Sequence, residues 1–195
     1  MFARKRIAIV GTHNTGKSTL CHSVAAKLMT RGIKVGVAWE PSRSNLHLAA
    51  GIRGYETQMS IFASVVGGEM EAERTNDIVI CDRSILDVIA YTQALTDHPN
   101  ETQTKYTQAM SKFAIDYANT YLSIFKTCWR FDMKRSADPL RIPGCDFQDK
   151  IDCHIESLLT LLEEPAIRLN EPETAANDIE QWIVNKISPQ GLAAR

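Results

Sequence analysis

The sequence predicts a three-layer α/β fold built on a five-stranded parallel sheet, on the strength of three observations. Short apolar runs alternate with long stretches of helical periodicity. The first run ends in a glycine-containing loop that opens a helix. A later run, Ile78–Cys81, ends in Asp82. Strands of a parallel sheet are buried on both faces and so read as continuous apolar segments, as these do.

The elements follow in order. Arg6–Val10 reads as a buried strand stopped by Gly11. Gly16–Thr30 reads as a helix, with Leu20, Val24 and Leu28 on one face and Gly32 just past its end. Ile33–Trp39 is the second strand. Gly54–Thr75 is mostly helical, with Gly67-Gly68 placed to bend or split it. Asp77–Cys81 is the third strand and Ser84–Leu95 the next helix, with Ser84 suited to its N-cap and Asp87 three residues on. Thr96–Glu101 is a loop, Thr104–Asn119 a helix and Tyr121–Phe125 the fourth strand. Asp149–Leu162, Ala166–Leu169 and Pro172–Ile187 complete the alternation as helix, strand and helix.

The connection over residues 126–147, with Pro139, Pro143 and Gly144, is longer than a compact domain usually carries without purpose, and a lid is one such purpose. The expected organisation is one domain over 1–190, with a lid at about 126–147 and a tail at 191–195. Net charge of −1 and pI near 6.5 exert no global pull toward nucleic acid or membrane. Neither a membrane span nor a signal-peptide-like apolar region is visible, so a cytoplasmic location is expected. The cysteine number is odd, 5, without a C-x-x-C pair, which argues against a disulfide framework or a structural zinc site. Cys145, Cys153 and His154 form only a weak metal candidate.

The segment Gly11-Thr12-His13-Asn14-Thr15-Gly16-Lys17-Ser18, followed by Thr19, fits G-x-x-x-x-G-K-[ST]. Its fixed positions arise by chance in roughly one chain of this length in a hundred. The strand before it and the helix after it supply the context the motif requires. This is the phosphate loop, or Walker A motif, of P-loop NTPases. Glycines let the backbone wrap so that successive amides face phosphate oxygens, and the helix end adds positive potential. Lys17 is expected to reach the β- and γ-phosphates, and Ser18 to hold magnesium. His13 is expected to face solvent.

Glu40 closes the second strand at the edge where open α/β sheets bind ligands, and it could accept a proton from an acceptor hydroxyl. Asp82 ends a buried strand, as the second magnesium-site element of P-loop proteins does. Arg83 beside it would offer a planar donor fork to phosphate or a reacting oxygen. Lys126, Arg130, Lys134, Arg135 and Arg141 make the lid segment basic, with Arg141 and then Arg135 the candidates to close on a moving phosphoryl group. Tyr55 and Gln58 could line an acceptor pocket. Phe62, Tyr91, Tyr117 and Tyr121 fall at core spacing.

The order Gly11–Thr19, Trp39-Glu40-Pro41, Cys81-Asp82-Arg83-Ser84 and Asp138-Pro139-Leu140-Arg141 resembles small P-loop kinases over residues 5–170. It is similar to the nicotinamide-riboside-kinase-like ATPase domains, many of them found in bacteriophages. The Glu-Pro and Asp-Arg-Ser motifs also resemble those of deoxynucleoside kinases, although Asp82 stands where Glu is usual there. A phage kinase of hydroxymethyluracil within DNA is a third relative. The resemblance implies that Glu40 is the general base, Asp82 the magnesium partner and Arg83 the clamp on the acceptor oxygen. It implies ATP and Mg2+ as cofactors and phosphoryl transfer to a hydroxyl of a nucleoside-like acceptor, free or as a modified base in DNA. A homodimer is left open, and a phage-encoded chain would work in the host cytoplasm. The alternative is a regulatory P-loop ATPase with water as acceptor.

Overall fold

The computed structural model describes residues 5–52, 54–96, 98–132 and 145–187. Five strands form one all-parallel sheet: β1 (Arg6–Val10), β2 (Val35–Ala38), β3 (Ile78–Asp82), β4 (Ser123–Thr127) and β5 (Ile167–Leu169). Their order across the sheet is β2-β3-β1-β4-β5. Seven α-helices are described: α1 (Lys17–Thr30), α2 (Leu46–Ala49), α3 (Tyr55–Thr75), α4 (Ile85–Leu95), α5 (Glu101–Ala118), α6 (Cys145–Leu159) and α7 (Ala175–Ile187).

Side chains alternate across a strand, so each central strand feeds two cores. Ile7, Ile9, Ile78, Ile80 and Phe125 face the layer of α1 and α7. Ala8, Val10, Val79, Cys81 and Ile124 face the layer of α3 to α6. The chain leaving β1 enters α1 on one face, and the chain leaving β3 enters α4 on the other. β1 and β3 are neighbours in the sheet, so their C-terminal ends flank a topological switch point, where such sheets open a crevice. Gly11 and Asp82 stand at those ends.

The structure follows the expected alternation and moves several boundaries. β2 is shorter than Ile33–Trp39 because the Ile33 amide donates to Leu28 O at 3.2 Å, closing the end of α1. β4 starts at Ser123 and runs through Thr127, since Tyr121 sits in the preceding turn and donates its hydroxyl to Glu69. Gly67-Gly68 does not split α3, which runs unbroken over Tyr55–Thr75. A Cβ at either glycine would meet nothing within 4 Å, and the buried row of Tyr55, Gln58, Ile61, Val65 and Glu69 holds the helix instead. α5 begins at Glu101 because Asn100 and Gln103 form a capping box. α6 begins four residues before Asp149, and α7 three after Pro172. Between β2 and α3 the chain makes a 3-10 turn at Pro41–Ser44 and the short α2, capped by Asn45.

Both ends of the segment expected to be a lid lie in regular elements. Lys126 and Thr127 belong to β4, and residues 145–147 to α6. Lys126 is buried beside Asp152 at 2.9 Å and Glu156 at 3.2 Å. Arg130 pairs with Asp149 and Asp152. These two cations tie β4 and its extension to α6. Arg135, Arg141 and Lys134 lie outside the described residues.

At the N-terminal end of the central strand β1, Arg6 is buried under Tyr117 and Tyr121, with its Nη1 3.3 Å from Glu69. Burial pushes the Glu69 carboxyl up to about 7, against the hydrogen bonds from Tyr121 and the charge of Arg6. A carboxyl whose folded pKa is raised binds its proton more tightly in the native state. Stability therefore falls as pH rises from the ordinary 4.5 toward 7. Glu69→Gln should flatten this part of a urea-unfolding profile taken against pH. A slope unchanged by the substitution would show that Glu69 is ionised throughout.

Candidate active site

The loop between β1 and α1 takes its shape from its neighbours. Gly11 has φ +145°, and a Cβ there would lie 2.4 Å from Thr127 Oγ1, so no side chain fits. Its amide donates to Asp87 Oδ1 at 3.2 Å. The carbonyls of the next residues are engaged from outside. Gln148 Nε2 donates to His13 O at 2.9 Å, the Phe131 amide to Asn14 O at 2.9 Å and Trp129 Nε1 to Thr15 O at 2.8 Å. Holding successive carbonyls outward is how such a loop turns its amides toward a bound anion. Gly16, at φ +76°, starts α1 without a side-chain cap, and no acidic residue occupies the first turn. The positive end of the helix dipole is left uncompensated at the loop.

Lys17 is 5% exposed, and its Nζ donates to Thr12 O at 2.5 Å and Thr15 Oγ1 at 3.2 Å. Burial brings its pKa down to about 8, and the nearby Arg83 charge adds to that. Asp87, Asp82 and Glu40 pull the other way. Ser18 Oγ donates to Asp82 Oδ2 at 2.6 Å. The other oxygen, Asp82 Oδ1, is buried without a hydrogen-bond partner among the described residues. A buried, unsatisfied carboxylate oxygen next to a hydroxyl suits a hard divalent cation with oxygen ligands.

Glu40 follows β2 and enters the same space. Its Oε1 lies 2.8 Å from Arg83 Nε as an ion pair without hydrogen-bond alignment, and accepts from Ser42 Oγ at 2.5 Å. Arg43 Nε is 3.7 Å from Oε2. Burial works to raise the carboxyl pKa; the Arg83 charge, the Ser42 hydrogen bond, Lys17 and Arg43 together hold it below the ordinary value. Arg83 is a non-glycine residue at φ +80°, a costly backbone region that is retained where surroundings impose it. Its amide donates to Ile9 O at 3.1 Å, and its guanidinium lies 5.0 Å from the Tyr91 ring centroid.

These groups border one cavity of about 280 Å³. Its lining includes residues 13–19 and Asp82. It also includes Gln58, Ile61, Val65, Val88 and Tyr91. Glu40 and Arg83 line the cavity as well.

The structure thus brings Lys17, Ser18, Thr19, Glu40, Asp82 and Arg83 together, while Gly11 and Thr12 shape the loop from behind. His13, expected to face solvent, is 4% exposed and packs toward Tyr91 and Phe147, with Nδ1 3.1 Å from the Tyr91 hydroxyl. Tyr91, expected in the core, lines the cavity. Of the pair expected to wall an acceptor pocket, Gln58 does so; Tyr55 instead turns its hydroxyl to Met110 Sδ at 3.6 Å within the core. Sequence reasoning gave Asp87 only a capping role. It forms the capping box with Ser84 and also anchors Gly11. Thr127, Trp129 and Gln148 act on the loop from more than a hundred residues away, and nothing in their local sequence signals it.

Sheet order, loop and switch-point crevice define a P-loop NTPase with an α/β fold. A family model described as an AAA domain matches residues 6–171, and the chain belongs to that family. No curated protein matches at the level of sequence. Among solved structures, the chain is similar to the deoxyadenosine kinase from M. mycoides with bound dCTP, with a TM-score of 0.62 and 16% identity, covering 93% of this chain and 98% of that one. It is also similar to the NadR protein in complex with NAD and AMP-PNP, with a TM-score of 0.64 and 16% identity, over 96% of this chain and 50% of that one. These likenesses show a shared fold.

Because Gly11 needs both its φ and its bare Cα, Gly11→Ala should destabilise the protein by about 1–3 kcal/mol. Denaturant unfolding checks this; a loss below about 0.5 kcal/mol would show that the loop relaxes around the methyl group.

Proposed function

We propose that the protein transfers the γ-phosphoryl group of ATP to a hydroxyl of a free nucleoside-like acceptor. The observation that carries this is the part of the cavity lining that the loop does not supply. A triphosphate held by residues 11–18 would share its cavity with a chamber for the acceptor, to which Gln58, Ile61, Val65, Val88 and Tyr91 contribute walls. An ATPase that uses water needs no such chamber. A planar, partly polar acceptor fits one, with apolar side chains for its faces and Gln58 for its edge.

The residues would divide the work as follows. The loop amides and the start of α1 bind the phosphates. Lys17 places its ammonium against the β- and γ-phosphate oxygens in a site with little water, where each charge acts more strongly. Ser18 and Asp82 are the residues that would hold magnesium, which when bound offsets charge on the phosphate oxygens. Glu40, ionised and fixed by Arg83 and Ser42, orients the acceptor hydroxyl and takes its proton. Its lowered pKa makes it a weak base. That suffices where the transition state is loose and the proton leaves late. Arg83 is near enough to Glu40 to meet the transferring group once the acceptor enters. The chamber walls exclude water from competing as acceptor.

The buried Lys126 and the exposed Arg130 are both engaged by α6 carboxylates, so two of the five cations that a basic lid would offer to a DNA acceptor are already paired. Labelled ATP should therefore mark a nucleoside or nicotinamide riboside in an acceptor panel, with little phosphate released in its absence. Transfer only to modified-base DNA would move the acceptor to nucleic acid. Release of phosphate at the same rate with and without every acceptor would make the protein an ATPase.

Two variants test the roles. Lys17→Ala should abolish turnover, and Glu40→Gln should lower kcat by about a hundredfold or more while ATP affinity changes by less than about threefold. Equal losses in both quantities for the glutamine variant would assign Glu40 to structure. pH tests the lysine separately. The Lys17 pKa is about 8 in the free protein, so kcat/KM for ATP should fall as pH rises through that value. Lys17→Arg, whose charge persists, should shift any such fall to higher pH; an identical profile would give the titration to another group.

A further inference from the structure

One aromatic side chain beside the loop is unexplained by the chemistry above. Phe131 is 49% exposed, yet its backbone is fixed at two points. Its amide donates to Asn14 O at 2.9 Å, and its carbonyl accepts from Asn14 Nδ2 at 2.6 Å. Its ring lies against the loop: a Cβ at Gly16 would be 2.9 Å from Phe131 Cε2. Two residues earlier, Trp129 is partly buried against the core of α1 and α7 and holds Thr15 O. The chain beyond β4 is thus clamped to the loop through residues 129 and 131, with the Phe131 ring at the start of α1 and open to solvent. A scattered exposed aromatic is ordinary; one mounted by its own backbone against a phosphate loop is not accounted for by packing.

Direction supplies the rest. With Glu40 as the base for the acceptor, the terminal phosphate must face Glu40 and Arg83, which line the same cavity as residues 13–19. The nucleoside end of the same molecule then leaves the loop the other way, past the first turn of α1. Phe131 stands at Gly16, the N-cap of that helix, and takes no part in lining the acceptor chamber.

We infer that the Phe131 ring is the stacking platform for the base of the donor nucleotide. The inference rests on the nucleotide reading of residues 11–18 and adds a residue that determines donor affinity. A π-face recognises any base without reading its edge, so Phe131 favours nucleoside triphosphates over bare triphosphate without choosing strongly between adenine and guanine.

The test compares equilibrium binding of Mg-ATP and Mg-tripolyphosphate to the wild-type protein, Phe131→Leu, Phe131→Trp and Lys17→Ala. Leucine keeps apolar bulk against Gly16 and loses the π-face. Phe131→Leu should weaken ATP by about tenfold and tripolyphosphate by less than about twofold, and Phe131→Trp should retain ATP. Lys17→Ala should weaken both ligands. Unchanged ATP binding in Phe131→Leu, or an equal loss of both ligands, would overturn the inference; the second result would mean that the ring merely props the loop. Failure of the wild-type protein to bind either ligand would overturn the nucleotide reading, and the platform with it.

Discussion

Lys17, Arg83, Glu40 and Asp82 are withdrawn from bulk water around a single cavity, and each is tolerable there because of the others. An ammonium buried as deeply as that of Lys17 would shed its proton in an apolar site. Here Asp87, Asp82 and Glu40 hold its pKa at about 8. Arg83 depresses the same group and at the same time keeps Glu40 ionised. Removing one partner of such a set leaves an uncompensated buried charge, which costs more than the set contributes when whole. The site is therefore a mutually dependent cluster of charges, and the loop, the strand ends and the first turns of α1 and α4 must be correctly placed for any of it to persist.

That dependence runs through the backbone as well. Asp87 caps α4 and grips the Gly11 amide, so the helix that follows β3 positions the loop that follows β1. Thr127, Trp129 and Phe131 reach the same loop from β4 and its extension, and Gln148 reaches it from α6. α6 is in turn held by Lys126 and Arg130. A loop anchored on several sides arrives at its ligand already shaped, which reduces the ordering cost of binding. It also couples the segment after β4 to the loop that would hold the phosphates.

Much of the fold was legible because buried parallel strands announce themselves: Arg6–Val10 and Ile78–Cys81 could be little else. Glu40 and Asp82 were legible for a related reason, since an acid at the end of such a strand falls on the binding edge. The loop residues were legible from their spacing, which reflects a backbone requirement. Other features were hidden because they depend on tertiary packing. The sequence around Lys126 looks like a basic surface segment, and only the acids of α6 reveal a buried strand residue. His13 looks like a variable loop position until Tyr91 and Phe147 close over it. Gly67-Gly68 looks like a hinge, but both glycines lie on an open face of α3 while the opposite face is fixed by packing.

The most direct test of this arrangement is a crystal structure with magnesium and a non-hydrolysable ATP analogue. The β- and γ-phosphates should lie within residues 11–18, with the Lys17 ammonium moved from Thr12 O onto their oxygens and the metal between Ser18 and Asp82. A triphosphate seated elsewhere, or an Asp82 carboxylate still bound to Ser18 with no cation beside it, would contradict it.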